Sequence, residues 1–338
     1  MNTITSKVRG ILPDGTMVTE HKIKNEHGMT FSVLDYGCTT YKMIVPTRDG
    51  ERDIVLGYKT PAGYAQGPSW HASIVGRVAN RIIGGRFTLN GTEYQLPDLD
   101  DQGNHLHGVF SHRMFKVIED EQGLTLTYKS PDGEDGFPGK LKATVRITLT
   151  EDNVLRYDLR AVSDKDTLCN LTNHNYYKLD DAETVLDTLL QVEADRYLPN
   201  APHGAPDGTV VPVEGTPFDF RTAKPIGRDV DGVPGGYDHN FCLNGQGFRR
   251  VATAQSSASG VKMEVWTTQP GAQLYIGQAL GVDKYAGKHD APWHNCGGFA
   301  FECQGWPAAP NYPHFPGIEL KAGEEYHEII ELRFSVVE

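Results

Sequence analysis

Cysteine is scarce: there are five in 338 residues, Cys38, Cys169, Cys242, Cys296 and Cys303. Their number is odd and no two have C-x-x-C spacing, which argues against a disulfide framework and against the usual thiolate zinc or redox sites. Reduced thiols in a cytoplasmic protein are expected. Long hydrophobic runs are missing, since none approaches the ~18 apolar residues that a membrane span needs. The opening MNTITSKVRGILPDG has no apolar stretch of the signal-peptide kind. Basic charge is in deficit: 32 Lys and Arg stand against 44 Asp and Glu, the net charge is −12, and the longest basic run is the pair Arg249-Arg250. A phosphate-tracking nucleic-acid groove and an anionic membrane are both poor partners for such a surface. Long βαβ patterns are lacking too, which excludes a parallel α/β sheet as the leading architecture.

What is present is short alternation between turn signals. The 37 glycines and 20 prolines are spread as punctuation, the all-β habit. Leu124–Tyr128, Ala143–Leu149, Leu155–Leu159 and Val261–Trp266 each alternate apolar and polar residues, so each offers one face to a core. Asp120-Glu121-Gln122-Gly123 and Glu151-Asp152-Asn153 read as hairpin turns between them. One segment has a helical rhythm, Ala182, Val185, Leu186, Leu189, Leu190. It also reads as a strand with Leu186, Leu190, Val192 and Ala194 on one face, and its neighbours favour the strand. The stretch Asn200 to Gly236 holds six Pro and seven Gly. It reads as a long excursion folded over the sheet rather than a domain linker, because similar strands resume on both sides. The chain is expected to form one domain, 1–338, large enough to bury a core without staples.

Polar clusters interrupt the alternation: GRVANRI (76–82), NHLHG (104–108), NLTNHNYY (170–177), GYDHNF (236–241) and GGFAFECQGW (297–306). His105 and His107 would share a face of a strand, which suits either a metal, with His174 or His239 as a third ligand, or two hydrogen-bonding imidazoles. His174 has aromatic company in Tyr176 and Tyr177. It reads as a satisfied rim histidine or as a proton donor near neutral pH, beside rings that suit the apolar face of a sugar. Glu302 sits among Phe299, Ala300, Phe301 and Trp306. A carboxylate there is either at a wet strand end or held in a site, where desolvation raises its pKa toward that of a useful base. Asn80 and Arg81 lie between Val78 and Ile82, suiting a hydroxyl-binding pair or a surface salt bridge. Asp238 suits a turn.

Taken in order, these clusters closely resemble the aldose 1-epimerase family, also called galactose mutarotases. SPDGEDGFPG (130–139), EGTPFDFR (214–221), and Glu302-x-Gln304 with the APN of 309–311 extend the resemblance over nearly the whole chain. The resemblance implies a large antiparallel β-sandwich, the supersandwich, with a monosaccharide in a cleft across it. It implies His174 as general acid, Glu302 as general base, and Asn80, Arg81, His107, Asp238 and Gln273 as sugar ligands. It implies anomer interconversion, a chemistry that requires no cofactor and no metal, and a monomer or homodimer is expected. A non-catalytic carbohydrate-binding protein on the same fold is the alternative. The sequence departs from the family pattern at Asn175, Tyr177, Lys178 and Gln278, which suggests a pocket altered beside His174.

Overall fold

A computed structural model describes residues 2–283, 285, 287–288 and 293–337. Strand makes up 46% of it and helix 9%. Three antiparallel sheets dominate. The first is a five-stranded meander from Thr3–Ile11 to Gly50–Asp53. The second has nine strands and runs from the edge at Lys116–Asp120 through Leu141–Leu149, Val154–Ser163 and Glu325–Val336 to Lys224–Pro225. The third has six strands, in the order Tyr176–Tyr177, Phe299–Gln304, Gly271–Tyr275, Asp238–Cys242, Arg196–Leu198, Val211–Pro212.

The alternating segments are strands, and both turn signals close hairpins. Their apolar faces meet in one core. Val145, Ile147, Tyr157 and Leu159 of the nine-stranded sheet join Phe31 and Val45 of the first sheet and Phe299, Phe301 and Leu274 of the third. The segment with mixed periodicity has no helix; it turns as far as Thr188 and is a strand over Leu189–Val192, with Leu190 and Val192 buried. A helix there would have left the backbone of the neighbouring strand Arg249–Gln255 without its ladder partner. The Pro- and Gly-rich excursion lends Val211–Pro212 to one sheet and Lys224–Pro225 to another. It also buries Phe218 and Phe220 in the core.

The six-stranded sheet is unusual on its second face. Phe299, Phe301 and Cys303 point into the core, so alternation turns Ala300, Glu302 and Gln304 the other way, yet the whole strand is buried. A face that would ordinarily be wet is covered, and its covered residues are polar.

Candidate active site

Register assembles the site on that face. Asp238 pairs with Tyr275, Tyr275 with Ala300, and Ala300 with Tyr176, a row across four strands. Two residues along each strand, on the same face, lies the row Asn240, Gln273, Glu302. The pairing of Tyr176 with Ala300, continued two residues back, sets His174 opposite Glu302. The His174 Nε2 and Glu302 Oε1 atoms are 3.6 Å apart, although 128 residues separate them in sequence.

The cover comes from a second unit. Arg81–Ile82 pairs with His105–Leu106, so Asn80 and His107 lie beside each other at the end of a two-stranded ribbon. Both adopt left-handed φ, +63° and +61°, a region Asn and His visit more readily than most residues. The His107 amide donates to Asn80 O at 3.2 Å, and the Asn80 amide donates to His107 Nδ1 at 3.2 Å. That second bond fixes the tautomer. Nδ1 accepts, so the neutral ring carries its proton on Nε2. Asn80 Oδ1 accepts from the Arg81 amide at 2.9 Å. Arg81 Nε donates to Asp100 Oδ2 at 3.0 Å, and its guanidinium reaches to 3.9 Å from Asp238 Oδ2. Gln273 stands behind Asp238, donating Nε2 to Oδ1 at 2.7 Å.

Between sheet and cover lies a cavity of about 260 Å³, lined by Asn80, Arg81, His107, His174, Asp238 and Glu302 together with Trp70, Tyr176 and Tyr275. Six of the seven residues expected from sequence meet there. The seventh, Gln273, does not line the cavity and hydrogen-bonds Asp238. Trp70, Tyr275 and Asp100 were not singled out from sequence. Only Asp100 left a signal, the turn-forming run DLDDQGN, in which its Oδ1 accepts from the Gln102 and Asn104 amides.

The departures from the family pattern turn away from this cavity. The Asn175 side chain donates to the Tyr157 and Tyr177 hydroxyls, at 3.4 and 3.2 Å, inside the core. Tyr177, Lys178 and Gln278 do not line the cavity either. The expectation of a pocket altered beside His174 is therefore corrected: alternation sends Tyr176 to the site and Tyr177 to the core.

His105 and His107 do not converge. Their strand ends at Leu106, and the left-handed turn at His107 breaks the shared face. His105 is engaged by Asp135 at 3.2 Å and the Pro97 carbonyl at 3.1 Å. Instead His107, His174 and Glu302 bring ligand-type atoms within 4.8 Å of one another. The tautomer makes this a poor metal trio, because the proton of His107 sits on the nitrogen left free for coordination.

Burial governs the charges. Glu302 is 2% exposed and His174 4%. Burial pushes Glu302 well above the usual carboxylate range, Asp238 adding to the rise and Arg81 opposing it. Burial lowers His174 to about 4 and carries His107 well below its ordinary value. Burial thus disfavours the charged form of both groups, and among the described residues Glu302 Oε2 and His174 Nδ1 have no hydrogen-bond partner. The remaining motifs support this floor. Arg77, fully buried, donates to Pro138 O and Ser130 Oγ of the SPDGEDGFPG loop, at 2.8 and 2.6 Å. Asn170 Oδ1 accepts from the Gly305 amide at 2.8 Å, tying the NLTNH segment to the end of the Glu302 strand. Asn311 Oδ1 accepts from the Ile83 amide at 2.9 Å, anchoring the ribbon.

The family model described as aldose 1-epimerase matches residues 19–333. Galactose mutarotase of Rattus norvegicus is 39% identical over 347 aligned positions, covering 99% of this chain and 100% of the relative. Aldose 1-epimerase of Escherichia coli K12 is 35% identical, covering 96% and 97%. Among solved structures, an aldose epimerase homologue from C. elegans superposes with a TM-score of 0.88 at 26% identity, over 100% of both chains. A galactose 1-epimerase from Lactobacillus acidophilus gives 0.84 at 30% identity, over 100% of this chain and 99% of its own.

Proposed function

This chain belongs to the aldose 1-epimerase family, and from that premise we propose that Glu302 and His174 carry its interconversion of the α and β anomers of a free aldose. The observation that carries the assignment is the 3.6 Å approach of His174 Nε2 to Glu302 Oε1 on the floor of the sugar-sized cavity. Ring opening needs a base for the proton of the anomeric hydroxyl and an acid for the ring oxygen. Glu302 takes the first proton and His174 gives the second as the C1–O5 bond breaks. The aldehyde turns about C1–C2, and the two groups exchange roles as the ring closes on the other face.

Burial fits this cycle. Opening begins from carboxylate and imidazolium and ends with a carboxylic acid and a neutral imidazole, the state burial favours. The pair is thus balanced toward the open-chain intermediate, and closing restores the charges on the sugar's own proton inventory. His107 supplies a fixed Nε2–H donor, and Asn80, Arg81 and Asp238 hold the remaining hydroxyls so that C1 stays between the pair. The substrate is a monosaccharide, and which aldose it is follows from hydroxyl contacts that a panel of sugars would read. Both groups being present favours turnover over a purely sugar-binding role.

Anomer-resolved NMR or polarimetry on freshly dissolved α-sugar provides the test. Glu302→Gln and His174→Asn should each slow equilibration by about 10²–10⁴-fold, with unchanged circular dichroism. Near wild-type rates for either variant would overturn the pairing, and no acceleration of any common aldose by the parent protein would return the sugar-binding alternative.

A further inference from the structure

Lys178, the cation that follows the catalytic segment, is not used by the sugar pocket. It lines a second cavity, of about 360 Å³, with Arg52, Lys288, Leu56 and Trp293. A wall of three rings joins the two cavities. Tyr176 lines the first, His71 packs on it at 4.7 Å, and Trp293 stacks on His71 at 4.6 Å and 18° while lining the second.

Charge in this second cavity runs against the rest of the chain. Lys288 is matched by Asp53 at 2.8 Å and also donates to Tyr41 O at 2.7 Å, so that pair is internal to the fold. Arg52 pairs with Asp181, whose side chain is 91% exposed. A pair that wet contributes at most about 1 kcal/mol, so an incoming anion can displace the aspartate. Among the described residues Lys178 forms no ion pair. Two cations, whose carboxylate partner on this side is the exposed Asp181, therefore face a pocket with an apolar and aromatic wall, in a protein of net charge −12. Guanidinium and ammonium groups together suit a phosphomonoester, and Trp293 with Leu56 suits the C–H face of a sugar ring. Among the described residues no buried acid/base pair accompanies them: His294 and Glu183, 3.4 Å apart, are both exposed, and Asp53, the half-buried carboxylate here, is committed to Lys288 and to the Met43 amide at 3.0 Å.

We propose that this cavity is a binding site for a phosphorylated monosaccharide, separate from the catalytic pocket and without turnover of its own. Such a ligand is what an ATP-dependent phosphorylation of the enzyme's product would yield, so the site would report on the step downstream. Calorimetric titration of the intact protein with glucose 6-phosphate, in an excess of galactose that fills the first pocket, should show one saturable site. Inorganic phosphate should bind at least tenfold more weakly. Arg52→Ala and Lys178→Ala should each weaken glucose 6-phosphate by about tenfold, with mutarotation in its absence unchanged; Lys178→Gln should do the same if the alanine variant melts early. Absence of saturable binding at millimolar ligand, displacement by galactose, or indifference to the substitutions in a folded variant would overturn the proposal. Inorganic phosphate binding as tightly as the phosphosugar would overturn the sugar-ring half of it.

Discussion

In the proposed mechanism two side chains in the floor of the cavity share one proton, and that count decides when the site works. Lowering the pH adds a second proton, to His174, and the base is lost. Raising it removes the last proton, from Glu302, and the acid is lost. Because burial holds His174 down at about 4 and pushes Glu302 up from the ordinary carboxylate range, the two limbs move apart. The profile of kcat/KM, corrected for the spontaneous reaction, should therefore stay flat through the region where an ordinary imidazole titrates, near ~6.5, and fall only as the pH approaches about 4. An acid limb centred near the ordinary imidazole value would mean that His174 is wetter than its 4% exposure implies. His107 does not add a limb of its own above this range. Its burial keeps it neutral, and the Asn80 amide keeps its proton on Nε2.

At the scale of elements, the site is a sheet face plus a ribbon, and the ribbon is the more fragile part. It turns where Asn80 and His107 both take left-handed φ, and the residue after His107, Gly108, also has φ +68°. A Cβ at Gly108 would sit 2.4 Å from Gly76 O and 2.9 Å from the Arg77 nitrogen, all backbone. By contrast Gly91, at the tip of another hairpin with φ +78°, has nothing within 4 Å of an added Cβ. Gly91→Ala should cost about 1 kcal/mol, the left-handed penalty alone, and leave turnover intact. Gly108→Ala should cost ~1–3 kcal/mol more by displacing backbone, and should lower kcat/KM about tenfold or more because His107 moves with it. Equal melting temperatures for the two variants would show that the ribbon yields freely. The strands of this architecture were legible because Leu141–Leu149 and its neighbours alternate cleanly. The candidate site residues were legible through the family resemblance, because the motifs that carry it are contiguous in sequence. What the sequence hides is non-local. The register that turns Tyr176 inward and Lys178 into another cavity depends on Ala300, and the guanidinium of Arg81 is held by Asp100 across a loop. The spacing of His105 and His107 misleads for the same reason, since a left-handed residue resets the period.

At the scale of the whole molecule, the cavity floor and the core are two sides of the same strands. Phe299, Phe301 and Cys303 contribute to the core that also holds Phe31 and Tyr157, whose rings meet edge-on at 5.9 Å. Glu302 is carried between Phe301 and Cys303, so its desolvation is borne by the fold as a whole rather than by a loop. One cooperative thermal transition is expected, and Glu302→Gln should raise its midpoint. The pH dependence distinguishes this from a generic surface effect. The folded-state pKa of Glu302 lies above its unfolded value, so below about 4.3, the ordinary glutamate value, both states hold the proton and the native carboxyl has no linkage cost. As pH rises past that value the unfolded chain ionises first, and stability drains away until the folded carboxyl ionises too. Gln has no proton to lose. The gap between variant and parent should therefore be small in mild acid and widen steadily toward neutrality, while activity is lost at every pH. Scanning calorimetry across that range checks both parts. Two separate transitions would divide the chain into independent units, and a gap that ignored pH would place the carboxylate in water, where it could not serve as the base.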